Sequence, residues 1–410
     1  MLATDTTTNS QDPTQALFGQ MLRNRLTTLR ERFDPVHGFK EEASLHKAIQ
    51  LSLRIDSLHQ LAIEVYLQTF AVIIQRRPLP AWRSLLDEAL SVAEKRNHDL
   101  YTAKLLAFKC QYLREIEDLE GLLHEGKQAL QSQPVKKSPT AQAAILIYLA
   151  IRHFIRREFD QALDLVNLAK NTIPEPKTIE EYSLCGKILN VQGIIKGEQH
   201  KIFEATQAYD QALKYLEQSR DLFTLNLTRA NFAYYIATEE DGLDKVETMK
   251  DVREFFRQQN YLFAENVVLV NIAVVYDRHQ QFDQSETYLK AMDVEYLYKI
   301  PATTTLALHH NNIGNLYFNQ GLFKLAEIEL TSAINVYNEL GNQHFFSLAN
   351  AKALLGTLYS KTNNIEKSDN VLLESLSILH PLVENGDTKA ANLYEEISEE
   401  FPHLEAFPLH

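Results

Sequence analysis

Three asparagines recur at one interval in this chain: Asn231, Asn271 and Asn312, with Asn190 close to the same register one interval earlier. A side-chain amide carries one acceptor oxygen and one two-proton donor, so it can bond both the N–H and the C=O of a single extended peptide residue. A row of them along one wall holds a main chain whatever side chains that chain bears. The same amides also have a purely structural use, solvated or bonded to a neighbouring segment, and both readings stand. Lys187, Arg278 and Lys361 fall on the same wall. They suit a carboxylate or serve as ordinary solvated charges. Tyr234 and Phe318 suit apolar pocket walls or packing between helices.

Residues for catalysis or metal binding do not assemble. The sequence has no glycine-rich phosphate loop, nucleophile elbow or zinc-protease helix. His309 and His310 are adjacent, so on a helix they point different ways and cannot chelate one ion from one face. HEGK at 124–127 lacks a second histidine at the needed spacing, and the carboxylates of LYEEISEEF at 393–401 suit a solvated helix. The expectation is a protein with no reaction, no metal and no cofactor. Cys110 and Cys185 form no disulfide framework and read as reduced buried thiols of a cytoplasmic protein.

The elements that must position the amides follow from a repeat. With copies starting at 63, 103, 143, 186, 226, 266, 307 and 349, the eighth place holds Phe70, Cys110, Ala150, Gly193, Ala233, Ala273, Gly314 and Gly356. The twenty-seventh holds Ala89, Ala129, Ala169, Ala212, Val252, Met292, Ala333 and Ser375. Small residues at fixed places let two helices approach closely, and each copy reads as two amphipathic helices, for example 307–319 and 323–338. One such pair cannot bury its apolar face; stacked pairs share a continuous core. Only 13 glycines in 410 residues argue for helix throughout.

The unit at 307–340, with Ile313, Gly314, Tyr317, Ala326, Leu330 and Ala333, resembles the tetratricopeptide repeat (TPR). Its long period of about 40 residues is similar to that of kinesin light chains, Rap and PlcR-type peptide-responsive regulators and MalT-like sensor domains. The resemblance implies an all-α, right-handed α-α superhelix of about eight helix pairs whose concave face, lined by the first helices, binds an extended peptide. It carries the amide ladder over to Asn231, Asn271 and Asn312, with Asn190 a weaker match by its offset. The Rap class also implies a phosphatase reading through a glutamine of the N-terminal bundle, for which Gln50 and Gln60 lie in the right region. The PlcR branch implies a helix-turn-helix, but residues 22–49 lack its pattern, so direct nucleic-acid binding is not expected.

The expected organisation is a disordered leader over 1–13, an N-terminal bundle or degenerate repeat over 14–62, two degenerate repeats over 63–142, six repeats over 143–383, and an acidic capping helix and tail over 384–410. Residues 1–140 carry 18 Lys and Arg against 17 Asp and Glu; the rest carries 23 against 37. A net −14 on the better repeats counts against a phosphate-binding surface. No secretion signal or membrane-spanning run is present. The expected function is an adaptor or peptide-responsive sensor holding a peptide or protein segment. The alternative is a regulator that engages a transcription factor or response regulator through its N-terminal third.

Overall fold

The computed structural model describes residues 13–31, 42–74, 80–238, 242–341 and 343–404. Expectations for residues 1–12 and for the tail 405–410 lie outside the described residues. The described chain contains helices and no strand. In order they are α1 (Pro13–Glu31), α2 (Glu42–Leu53), α3 (His59–Ile73), α4 (Pro80–Lys95), α5 (Asp99–Glu115), α6 (Leu119–Gln131), α7 (Gln133–Lys136), α8 (Pro139–Ile155), α9 (Phe159–Thr172), α10 (Ile179–Glu198), α11 (Ile202–Ser219), α12 (Leu222–Ala237), α13 (Val246–Gln258), α14 (Leu262–Arg278), α15 (Phe282–Lys290), α16 (Val294–Lys299), α17 (Thr304–Asn319), α18 (Phe323–Glu339), α19 (Phe345–Lys361), α20 (Ile365–Glu384) and α21 (Thr388–Glu400). The chain divides into two compact units, Met1–Leu106 and Ala107–His410.

In the second unit each helix packs on its partner and each pair on the next, giving an all-α solenoid. The small places explain the close approach. A methyl group on Gly193 would lie 2.7 Å from the Tyr209 ring, on Gly314 2.8 Å from Leu330, and on Gly356 2.6 Å from Leu372. The core is continuous across repeats: Ala143, Ile147 and Ala150 of α8, Val166 of α9 and Ile188 of α10 share one buried cluster. Several helix starts are fixed by side chains that occupy otherwise orphaned N–H groups. Thr178 and Glu181 form a reciprocal capping box, while Asp221, Thr303 and Asp387 cap α12, α17 and α21.

Between successive helices the chain repeatedly turns through a single residue of positive φ, among them Asn97, Glu117, Arg157, His200, Asn260, Gln280, Gly321 and Asn363. Seven of these eight are not glycine, which is how so helical a chain turns with so little of it.

One repeat departs from the expected pattern. The second helix of the copy starting at 266 stops at Lys290, and Asp293 caps a new short helix, α16. Met292 therefore sits in the break and not on a helix face, with its Sδ 3.3 Å from His309 Nδ1.

In the first unit Trp82 occupies a place that is small elsewhere. It is fully buried, donates Nε1–H to Glu42 at 2.6 Å, and lies against Tyr66 and His46. Lys109, at an apolar place of the second unit, is reconciled by an ion pair with Glu125 at 2.6 Å.

Candidate functional site

The first helices α8, α10, α12, α14, α17 and α19 contact one another in sequence and form one wall of the second unit. Two sets of asparagines occupy these helices and behave differently. Asn226 and Asn266 turn back on their own helices, donating to the carbonyls of Leu222 and Leu262, each at 2.9 Å. Asn266 also accepts from the Asp293 amide at 2.8 Å. These two are structural.

The recurring set is less committed. Asn231 donates to Asn190 Oδ1 across neighbouring repeats at 3.1 Å, so these two amides meet despite their offset in register. Asn271 is half-buried. Asn312 has its Nδ2 buried without a partner, as does the Oδ1 of its neighbour Asn311, a residue only 7% exposed. A buried amide group without a partner costs about 1–3 kcal/mol, so these two atoms are unsatisfied polar groups of the wall.

The flanking residues pair up across successive first helices. The Lys361 ammonium lies 4.5 Å above the Phe318 ring, which meets Phe323 edge-on. Burial pushes the Tyr234 phenol up to about 12, with Arg278 close enough to offset part of that rise. Arg278 is exposed. Lys187 is engaged: it pairs with Asp221 at 2.9 Å. Asp221 is half-buried, and its desolvation alone would raise its pKa; Lys187, the Thr224 N–H and Ser183 outweigh this and hold it at about 2. Toward the N-terminal end of the wall the amides give way to Tyr148, whose phenol burial pushes well up.

Sites considered for chemistry fall to structural roles. His309 is buried against Met292, and burial depresses it to about 4. His310 instead bonds Glu329 at 2.6 Å and the Tyr298 hydroxyl at 2.8 Å. No three His, Cys, Asp or Glu side chains among the described residues gather to hold a metal. Gln50 bonds Glu88, and Gln60 bonds Tyr101. Burial raises Cys110 to about 12 and Cys185 to about 11, which keeps both as unreactive thiols. Glu395, Glu396, Glu399 and Glu400 are exposed on α21. Thr304, His344 and Glu117 meet, but the Thr304 hydroxyl donates to Glu117 Oε2 at 2.5 Å, and that same oxygen lies 3.0 Å from His344 Nε2, the nitrogen 3.2 Å from the hydroxyl. That order leaves no base-to-nucleophile relay. A cleft of about 290 Å³ opens elsewhere, between α18, α19 and α20, with Phe345, Leu348 and Ile378 in its wall.

No family model matches the chain, and no curated protein matches its sequence. Solved structures do match its architecture. A signal-transduction ATPase with a tetratricopeptide-repeat sensor from Pyrococcus horikoshii superposes with a TM-score of 0.52 at 15% identity, over 97% of this chain and 63% of that one. This chain thus spans less than two thirds of that protein. A Rap protein, in complex with the competence and sporulation factor, superposes with a TM-score of 0.54 at 11% identity, over 84% of this chain and 99% of that one. The fold is that of a tetratricopeptide-repeat array. No helix among the described residues is long and apolar enough to cross a membrane.

Sequence reasoning missed a third group of residues in this array. Arg157 and Glu198 reach Asp387 and Lys389 across the unit. No periodic signal marks contacts so far apart, because repeats encode only their nearest neighbours.

Proposed function

We propose that this TPR array is a non-enzymatic peptide-binding protein that holds an extended segment along the wall of first helices, as an adaptor or a peptide-responsive sensor. The observation that carries the reading is the row Asn231, Asn271 and Asn312, ending in a buried Asn312 amide that lacks a partner beside an equally unpartnered Asn311 carbonyl. Asn190 belongs to the row through Asn231. Tyr234 and Phe318 bound the side-chain pockets, and Arg278 and Lys361 offer charge for a carboxylate; Lys187 orders the near end through Asp221. The Rap protein of the same fold, solved in complex with the competence and sporulation factor, agrees with this use of the architecture.

A thermal-shift screen with short peptides identifies the ligand class. The variant Asn231→Ala, Asn271→Ala, Asn312→Ala is then expected to lose the shift, each amide contributing about 1–3 kcal/mol, with helicity unchanged and melting lowered only by the loss of the Asn231–Asn190 bond, about 1 kcal/mol. If the triple variant unfolds instead, the amides serve the stack and the reading is wrong.

A second reading is favoured by the first unit. Leu17, Phe18 and Met21 of α1 are 64%, 48% and 62% exposed and form an apolar stripe. A response regulator or transcription factor docking there suits a regulator. Cross-linking from position 21 that captures neither partner class removes this reading. Purified protein that releases no phosphate from phosphorylated response regulators removes its phosphatase form.

A further inference from the structure

Three successive turns on one edge of the second unit are not left to solvent. Glu117 follows α5, Arg157 follows α8 and Glu198 ends α10; their partners lie 187 to 230 residues further along. Arg157 makes a two-pronged contact with Asp387, Nη2 to Oδ1 at 2.8 Å and Nε to Oδ2, and its Nη1 donates to Glu198 at 3.2 Å. Glu198 also accepts from Lys389 Nζ at 2.9 Å. Glu117 accepts from the Thr304 amide at 3.0 Å and meets His344. The Arg157 guanidinium lies over both Phe159 and Phe346, at 4.9 and 4.8 Å, and Arg156 lies over Phe345 at 5.0 Å. These groups are deeply placed: the side chains of Asp387 and Arg157 are 2% and 9% exposed.

We propose that this network is a releasable latch, which clasps the early turns of the second unit to the starts of its last helices, closes the solenoid on itself, and opens the wall of first helices when it lets go. Nothing in the stacking of repeats requires these contacts, since each pair is already packed on its neighbours. Their chemistry suits a reversible joint. Burying ions costs much of what their attraction returns, and both halves regain water on opening, so the closed and open states differ by little. An apolar seam of equal area would stay shut. The latch also reaches the wall: Glu198 accepts from the Tyr235 hydroxyl at 3.2 Å, and Tyr235 meets Tyr234 edge-on at 5.2 Å. Whatever moves Tyr234 moves a member of the clasp. This inference stands whether or not the wall binds a peptide.

The test places spin labels in the full chain at His200→Cys and Asn392→Cys, both exposed positions on the two sides of the latch. Cys110 and Cys185 are buried and stay unlabelled. The expected result is a single short, narrow distance distribution at low salt. Asp387→Asn keeps the helix cap but removes the charge. It should lengthen and broaden the distribution, and Arg157→Gln should do so independently. Raising salt from about 50 mM to about 1 M screens the partly exposed Lys389–Glu198 pair more than the buried Arg157–Asp387 pair, so on the otherwise unaltered chain it should shift the distribution in the same direction by a smaller amount. A distribution that stays short in both variants and at high salt overturns the latch. So does one that is already long and broad at low salt.

Discussion

The two units solve one packing problem in opposite ways. In the second, a small residue on a first helix leaves a hollow that a bulky residue from the second helix fills, as Tyr209 does at Gly193 and Leu372 at Gly356. In the first, the bulk sits at the place where the repeat is small: Trp82 fills the space itself, tied to Glu42 and flanked by Tyr66. The difference teaches that a repeat is defined by which partner supplies the volume. Where that assignment reverses, the sequence pattern fades although helices still pack.

The sharpest way to break this comparison is Trp82→Ala. Its cavity should cost about 3–5 kcal/mol. The loss should appear by hydrogen exchange as reduced protection in α2 to α4, with α8 to α20 unchanged; loss in both regions would show that the units share one packing scheme.

A smaller effect belongs to the broken repeat of the second unit. His309 is held neutral by burial at about 4, below its ordinary 6.5. Unfolded chain takes up that proton more readily, so stability should fall by about 3 kcal/mol as pH drops from 6.5 to 4 and level off below. His309→Leu should flatten that window in denaturant titrations at stepped pH.

Asp221 acts in a lower window and with the opposite ionisation. Its ion pair with Lys187 contributes above pH 3.8 and is lost as pH falls toward 2, a change of about 2 kcal/mol. Lys187→Met should remove most of it, read by the same titrations. The smallest effect expected is Gly314→Ala. Crowding of Leu330 costs about 1–3 kcal/mol and helix propensity returns up to about 1. A stabilised variant would show that the hollow is not filled tightly.

Much of the fold was legible because it is local. Gly314 marks a contact within one helix pair, Ala326 and Ala333 mark the core shared with the neighbouring repeats, and the period repeats the message. The break at Met292 was not legible, since a methionine at a small place reads the same on a continuous helix as in a gap. The candidate wall was legible only in part. The spacing of Asn231, Asn271 and Asn312 is visible, but Asn226 and Asn266 recur at the same interval and turn out to bond their own helices. Only coordinates separate an amide that is spent from one that is not. The contacts of Arg157 with Asp387 were invisible, because charged residues at turns are ordinary wherever a chain meets solvent.

The turns of positive φ have a consequence for engineering this scaffold. Each non-glycine residue there holds a left-handed backbone at a cost of about 1–2 kcal/mol, least for asparagine. His200 and Gln280 are thus places where a bare α-carbon would relieve torsion and raise the melting point. At Glu117 and Arg157 the same exchange would erase the side chains that reach across the unit, so tolerance of that strain records which corners of the chain are needed for something other than turning.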